Sequence, residues 1–275
     1  MATDVNRRVL PGFGLSLGYM MTYLTLLVLI PIAAGFIRAT NLSLEQFWAA
    51  VSTERAIAAY RLTLFVSFAS AAVNVVLGLL VAWVLVRYEF PLKRLLDSLV
   101  DFPFALPTAV AGLVYSNLYV ENGWYGQFLV PLGIQGSYSV LGIVLVLTFI
   151  GFPFVVRTLE PVLQGLERDV EEASACLGAD RFQTFRRVIF PSILPAVITG
   201  FALAFARGLG EYGSVVFISG NMPYQTEIAP VLVVAQLEAF QYNEATAIAV
   251  VLLVISFVTL FGINALERWS SRHHV

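Results

Sequence analysis

The chain has 275 residues, of which 59% are hydrophobic and 12% are charged, and its formal net charge is −2. Soluble domains carry roughly 25% charged residues, so this composition and a mean hydropathy of +0.82 predict a membrane protein. The small net charge excludes the basic surface that nucleic-acid binding requires. A single cysteine, Cys176, excludes an intrachain disulfide and a cysteine-based metal cluster.

Six apolar stretches approach or exceed the ~20 helical residues that cross a bilayer core. They are continuous rather than alternating, and therefore predict helices instead of a β-barrel. The sequence thus predicts an all-α, polytopic membrane protein with six transmembrane helices. The predicted spans are residues 15–37, 62–86, 99–120, 139–156, 193–218 and 245–266.

Basic residues are concentrated on one side of these spans, which the positive-inside rule assigns to the cytoplasm. Both termini and the polar segment between spans four and five are therefore predicted to be cytoplasmic. The opposite side carries Arg38, Arg55 and Arg61. The basic residues on the predicted cytoplasmic side are Arg7, Arg8, Arg87, Lys93, Arg94, Arg157, Arg168, Arg181, Arg186, Arg187, Arg268 and Arg272.

The second and third spans contain polar and helix-breaking residues. Asn74 lies in the second span, where a buried amide usually bonds a neighbouring helix; a substrate contact is the alternative. Pro103 and Pro107 lie four residues apart near the start of the third span, just after Asp101. Each proline removes a backbone donor, so we expect the third helix to bend or loosen there.

The polar segment at residues 169–191 predicts two short amphipathic helices. Asp169 is the predicted N-cap of the first, with Glu172 in the capping-box position. Gly178 is expected to end that helix with a positive φ, and Asp180 to cap the second. An ordinary cytoplasmic loop is the alternative interpretation of the same residues.

The fifth span contains a predicted ion pair inside the bilayer. Arg207 and Glu211 are four residues apart, so on one helix they would share a face and could pair. Charged residues at this depth normally pair and mark function, and Gly208 and Gly210 would soften the helix around them. A scaffold ion pair and a contact between Arg207 and a passing oxyanion both remain open.

The polar segment resembles the E-A-A-x3-G-x9-I-x-L-P loop of ABC importer membrane subunits. That loop is a coupling helix that docks on a separate ATPase subunit. The resemblance therefore implies a type I ABC importer permease fold and an ATPase-coupling role for five positions: Glu172, Ala173, Ser174, Gly178 and Pro191. Three departures from the pattern keep size or apolarity: Ser174, Val188 and Phe190.

Other strings are similar to sulfate permeases, and the resemblance covers residues 60–266. D-F-P-F-A-L-P-T-A-V-A-G resembles their third helix, and N-M-P-Y-Q-T-E-I-A-P and Y-N-E-A-T-A-I-A resemble the T-type subunit. These likenesses imply transport of sulfate, and of thiosulfate as a second substrate. With the ion pair of the fifth span, they predict a translocation pathway or gate at Asp101, Pro103, Pro107, Arg207, Gly208, Gly210 and Glu211.

The resemblance also implies the partners and the location of the chain. It implies an ATPase dimer, a W-type sister permease and a periplasmic sulfate-binding protein, assembled in a bacterial-type inner membrane. ATP and Mg are expected on the ATPase, because a Walker A motif needs G-x-x-x-x-G-K-[ST] and the only lysine, Lys93, follows Leu92 and precedes Arg94. We therefore expect no cofactor on this chain and no enzyme activity.

Three parts of the chain are predicted. Residues 1–60 comprise a tail, the first helix and a periplasmic loop; residues 61–266 form the transport core with a coupling loop at 157–192; residues 267–275 form a cytoplasmic tail. A permease for another oxyanion, such as molybdate, is the main alternative. A secondary anion transporter would show inverted repeats or several intramembrane acids, and an intramembrane enzyme is disfavoured because no histidine lies in a predicted span.

Overall fold

The apolar stretches fold into long helices because a backbone in hydrocarbon must satisfy its own hydrogen bonds. The computed structural model describes residues 12–271, and the predicted cytoplasmic arginines Arg7, Arg8 and Arg272 lie outside the described residues. The helices are α1 (Phe13–Ala39), α2 (Leu44–Val51), α3 (Glu54–Arg87), α4 (Lys93–Val100), α5 (Phe102–Ala105), α6 (Thr108–Tyr119), α7 (Gly126–Leu129), α8 (Val140–Gln164), α9 (Arg168–Cys176), α10 (Arg181–Leu209), α11 (Val215–Ile218), α12 (Ala229–Glu238) and α13 (Tyr242–Ser271). A π-turn lies within α1 (Thr25–Leu29) and another within α10 (Phe185–Ile189), and a 3-10 turn (Val130–Leu132) follows α7.

Within residues 12–271, five helices are long and apolar enough to cross a membrane: α1, α3, α8, α10 and α13. They contain the first, second, fourth and sixth predicted spans and most of the fifth. Two extend beyond the prediction: α3 begins at Glu54, where the side chain of Thr53 caps it, and α8 continues to Gln164. The predicted outer loop and coupling loop are correspondingly shorter.

The third predicted span is divided into separate helical pieces. The helix α4 ends at Val100, the four-residue α5 contains Pro103, and α6 begins after Pro107, which is its N-cap. The expected loosening is confirmed, and it goes further than a bend. The physical reason is that two prolines remove two ladder hydrogen bonds, and the residue before each proline is disfavoured in helical geometry.

The fifth predicted span ends nine residues early. The helix α10 stops at Leu209 with Gly210 as its C-cap, and residues 211–214 separate it from the four-residue α11. Glycines at 208, 210 and 213 weaken the helix, and the carboxylate of Glu211 accepts bonds from the backbone N and Oγ of Ser214 at 3.0 and 3.1 Å. Such local bonds compete with the helical ladder.

The core is built from α3, α8 and α10, which pack on one another along much of their length. Glycine allows the close approach at several crossings: Gly78 and Gly200 both meet Val155, and Gly208 meets Ser67. Asn74 is fully buried beside Gly151, but neither amide atom bonds any of the described residues. The expected bond from Asn74 to a neighbouring helix is therefore absent from this arrangement.

The remaining long helices lie at the periphery. The helix α13 packs on α10 and α12, and the second half of α1 packs on α13. No residue in the most apolar window of α1 is buried within the described part of the chain. The apolar surface of α1 is therefore left uncovered by the described residues.

Candidate functional site

The predicted coupling segment folds into α9, a turn and the beginning of α10. The prediction of Asp169 as N-cap is wrong: the helix starts two residues earlier than predicted, its N-cap is Glu167, and no side chain caps it. Asp169 instead lies in the first turn, where the helix dipole stabilises an acidic side chain. The start of α9 therefore depends on electrostatics rather than on a capping hydrogen bond.

The turn after α9 matches the local prediction. Gly178 has φ +84°, a conformation that L side chains rarely adopt, and its backbone N donates to the Ala175 carbonyl at 2.9 Å. Asp180 then forms a capping box with Gln183: the backbone N of Gln183 donates to Asp180 Oδ1 at 2.8 Å, and the reciprocal bond is 3.3 Å. Gly178 and Asp180 therefore fix the angle between α9 and α10.

The predicted coupling residues divide between two faces of this segment. Glu172, Ala173 and Gly178 are exposed, whereas Ser174 is buried and its Oγ lies 2.8 Å from Oγ1 of Thr184. Ser174 therefore holds α9 against α10. Pro191 is half-buried in α10, after the π-turn.

Two apolar side chains that the sequence reasoning missed join the exposed face. Leu177 is 89% exposed and Phe182 is 69% exposed. We call the surface formed by Glu172, Ala173, Leu177 and Phe182 the docking face. Their signal in the sequence was two large apolar residues on either side of Gly178, within a segment otherwise rich in charge.

The predicted intramembrane pair forms, but not on a helix face. Arg207 lies in the last turn of α10, Glu211 lies beyond its end, and Nη1 of the guanidinium is 2.5 Å from Oε2 of the carboxylate. The expectation of a shared helix face is wrong because α10 ends at Leu209. Glu211 is 2% exposed and bonds Ser214 through Oε1, whereas a third of the Arg207 side chain is accessible.

The two helix breaks meet in the fold. A Cβ on Gly112 in α6 would overlap the Ser214 backbone, and a Cβ on Gly213 would overlap Oγ1 of Thr108, the first residue of α6. The chain just after Pro107 is therefore packed against the chain just after Glu211. This contact joins the first turns of α6, in the third predicted span, to the non-helical residues that follow α10 in the fifth.

The two pathway glycines have different surroundings. Gly208 packs against Ser67 of α3, so any side chain there would displace α3. Gly210 has open space around it and lines an apolar cavity of about 520 Å³ between α10, α12 and α13. Gly208 thus serves close packing, and Gly210 lies at an accessible helix end.

Asp101 belongs to a different cluster from Arg207. Arg157 of α8 forms ion pairs at 2.6 Å with both Asp97 and Asp101, and at 2.7 Å with Glu160. Pro103, which follows Asp101 by two residues, is buried, and Pro107 is exposed. Only the Arg157–Glu160 pair, three residues apart on one helix, could have been found from the sequence. In the described part of the chain, no group of three or more His, Cys, Asp or Glu is arranged to hold a metal ion.

Comparison with known proteins gives consistent similarities. Residues 74–273 match the model of the family described as "Binding-protein-dependent transport system inner membrane component". The chain is 47% identical to the sulfate transport system permease protein CysT of Salmonella typhimurium, over 98% of both chains. It is 51% identical to the protein of the same name from Synechocystis sp., over 91% of this chain and 88% of that one.

Solved structures share the fold at low sequence identity. A bacterial ABC transporter involved in the import of the polysaccharide alginate superposes with a TM-score of 0.76 at 16% identity, covering 93% of this chain and 94% of that one. The MetNI methionine ABC transporter gives a TM-score of 0.59 at 18% identity, covering 83% and 99%. These likenesses establish the fold, which is that of type I ABC importer permeases.

Proposed function

We propose that this chain, which belongs to the family of binding-protein-dependent transport system inner membrane components, is the permease subunit of an ATP-driven sulfate importer. Relatives at 45 to 51% identity over nearly its whole length are named sulfate permeases. The observation that carries coupling to a separate ATPase is the docking face. Its exposed Leu177 and Phe182 lie in a charged segment, and apolar surface outside a membrane marks a site of association.

The ATPase is assigned to the side of the membrane that holds the docking face. The basic residues around α9 and α10 support a cytoplasmic position for that face by the positive-inside rule, with both termini on the same side and Trp124 and Tyr224 outside. The single lysine, Lys93, does not lie in a Walker A motif, so ATP and Mg are assigned to the ATPase partner. Closure of the ATPase dimer would then push on α9.

The pathway is assigned to the region where α6 begins, after Pro107, and α10 ends, at Leu209. Arg207 presents a planar set of donors suited to an oxyanion, and a third of its side chain is accessible. Glu211 is held by Ser214 and by Arg207, and so fixes the guanidinium at the break. Alternating access would move α6 and α11 about these non-helical residues, because interrupted helices can change angle without breaking a continuous ladder.

The remaining partners are proposed from the likeness to sulfate permeases. A W-type sister permease would complete the conduit, and a periplasmic binding protein would deliver sulfate or thiosulfate at the outer face, in a bacterial-type inner membrane. Orientation is tested by labelling with an impermeant thiol reagent on a Cys176→Ser background. We expect Trp124→Cys to react from outside and Ser271→Cys to be protected, and the reverse pattern would invert the topology.

The function is tested in liposomes that contain the chain, its sister permease and the ATPase. Addition of a sulfate-loaded binding protein should stimulate both ATP hydrolysis and sulfate uptake, and the chain alone should support neither. Uptake by the chain alone would favour a secondary transporter. Stimulation by a molybdate-loaded binding protein, without a response to sulfate, would reassign the substrate.

The docking face is tested separately by co-purification of the ATPase. Leu177→Asp and Phe182→Asp should each remove most of the ATPase from the purified complex, because burying an unpaired carboxylate in an apolar contact is costly. Leu132→Asp is the matched control, since Leu132 is 74% exposed on the assigned outer side and should leave ATPase binding intact. Retention of the ATPase by both docking-face variants would refute the assignment.

A further inference from the structure

The inner end of α3 is joined to the coupling segment by an ion pair between a largely buried arginine and a half-buried glutamate. Nη2 of Arg87, the last residue of α3, lies 2.6 Å from Oε1 of Glu171 in α9, and the Arg87 side chain is 12% exposed. The guanidinium also lies over the ring of Trp83, 5.3 Å from its centroid. Trp83 in turn meets Phe185 of α10 edge-on, with centroids 6.2 Å apart.

Two neighbouring glutamates of α9 therefore have opposite surroundings. Glu171 points toward α3 and is paired with Arg87, whereas Glu172 is exposed on the docking face. Successive residues on a helix are about 100° apart in direction, so a pair of glutamates can engage both sides of α9. Glu172 is free to meet an ATPase while Glu171 ties α9 to the membrane domain.

The outer end of α3 carries a second ion pair. Arg55 donates from Nε and Nη2 to the two carboxylate oxygens of Glu227, both at 2.7 Å, and Glu227 is 3% exposed. Two residues after Glu227, the backbone N of Ala229 donates to Oγ1 of Thr63 in α3 at 2.8 Å. These contacts join the end of the outer loop, residues 219–228, and the start of α12 to the first three turns of α3.

Between its two ends, α3 is an uninterrupted helix. It runs for 34 residues from Glu54 to Arg87, and Arg55 and Arg87 are about 48 Å apart along its axis. Kinks in helices arise at prolines and π-turns. The neighbouring α8 contains Pro153 and Pro161, and α10 contains Pro195 and a π-turn, whereas α3 contains neither.

We propose that α3 is a rigid link between the coupling segment and the outer loop 219–228, with Arg87 and Arg55 as positioning residues at its two ends. The proposal rests on the proposed function, which supplies an ATPase at one end and a binding protein at the other. Arrival of the loaded binding protein at the outer loop displaces α3, and Arg87 carries that displacement to α9. Neither arginine touches substrate or ATP.

The first test compares ATP turnover with and without sulfate-loaded binding protein, in the complete complex. Arg87→Met should lower the ratio of stimulated to unstimulated turnover by about fivefold or more, the usual range for loss of coupling between sites, and Arg55→Met should act in the same direction. Lys93→Met is the matched control, because Lys93, the first residue of α4, pairs at 2.7 Å with the exposed Glu89 in the turn after α3, and this pair does not reach the coupling segment. An unchanged ratio in Arg87→Met and Arg55→Met overturns the proposal.

The second test asks whether the two ends act in series. Effects of substitutions at distant, independent sites normally combine in full. If α3 is the link, Arg87→Met combined with Arg55→Met should lower the ratio no further than the worse single variant. A combined loss equal to the product of the two single losses overturns the proposal.

The third test guards against a variant that fails to assemble. Arg87→Cys and Glu171→Cys are combined on a Cys176→Ser background with cysteine-free partner subunits, since Cys176 is exposed on α9. A short bifunctional thiol reagent should then restore the ratio that the two substitutions lower. A ratio that stays low or falls further after bridging would mean that α9 and α3 must separate, and would refute the link.

The proposal and the proposed function can fail separately. If sulfate-loaded binding protein does not stimulate ATP turnover by the wild-type complex, the proposed function is refuted, and the proposed role of α3 is refuted with it. If the wild-type complex is stimulated, and the ratio of stimulated to unstimulated turnover is the same in Arg87→Met and Lys93→Met, only the proposed role of α3 is refuted.

Discussion

The coupling segment and the break region, where α6 begins after Pro107 and α10 ends at Leu209, were both predicted from short motifs, but they behave differently in the fold. At the coupling segment, Gly178 and Asp180 do what their local chemistry predicts. At the break region, Arg207 and Glu211 form the expected pair on a backbone that the sequence did not predict. The difference shows that a glycine followed by a capping residue specifies a turn, whereas glycines and a polar residue within a span weaken a helix without showing at which residue it ends.

The largest effect is expected where the two breaks touch. Gly112→Ala would place a Cβ into the backbone of Ser214, and neither backbone can move away without displacing α6 or α11. Overpacking typically costs about 1–3 kcal/mol, and a clash with backbone belongs at the upper end. We expect loss of the subunit from the membrane, measured by its level and by thermal stability of the complex.

A matched glycine supplies the control for that experiment. Gly262 of α13 has open space around it, so Gly262→Ala should leave the level and the thermal stability unchanged. Equal behaviour of the two variants would show that the breaks are not packed together, and the contrast between the regions would then disappear.

The next effect concerns the ion pair of the break region. Glu211→Gln keeps an oxygen for the backbone N and Oγ of Ser214 but leaves the Arg207 charge unpaired, so assembly should largely persist. Loss of a hydrogen bond to a charged group costs about 1.5–3 kcal/mol. Because Glu211 would no longer hold the Arg207 guanidinium in position for the anion, we expect a strong loss of sulfate uptake. Sulfate uptake, normalised to assembled complex, is the measurement.

An exchange of the two charges separates a scaffold from a pathway. Arg207→Glu combined with Glu211→Arg restores a pair but places a carboxylate where an oxyanion would pass. We expect assembly to return in part without uptake, since like charges repel at close range. Full uptake in the exchanged variant would make the pair a scaffold only.

A smaller and more local effect is expected at the coupling segment. Gly178→Val imposes a β-branched side chain at φ +84°, and the left-handed conformation costs L-residues roughly 1–2 kcal/mol. The subunit should still reach the membrane, but binding-protein-stimulated ATP turnover should fall. Gly178→Asn is the control, because asparagine tolerates this conformation, and its turnover should stay near that of the wild type. Equal turnover in the valine and asparagine variants would contradict the prediction.

The smallest effect is expected at Asn74. Neither of its amide atoms bonds the described residues, so Asn74→Leu removes a buried polar group without removing a hydrogen bond. The change should be nearly neutral or slightly stabilising, measured by thermal unfolding of the complex. A large loss of stability would indicate a partner for this amide that lies outside this chain.

Local chemistry decided a definite part of this protein. The apolar composition requires helices, Gly178 and Asp180 place a turn, and Pro103 and Pro107 interrupt the third span, because each of these effects acts through hydrogen bonds or dihedral angles within a few residues. The family of the chain could also be recognised at this level, since the coupling motif lies within twenty residues.

Only the tertiary structure decided which residues act together. Arg87 pairs with Glu171, Arg157 with Asp101, and Arg55 with Glu227, and these partners are far apart in the sequence. The same holds for the contact of Gly112 with Ser214. Ion pairs and close backbone contacts depend on distances in space, which the packing of α3, α8 and α10 sets, and no local pattern in a single sequence encodes those distances.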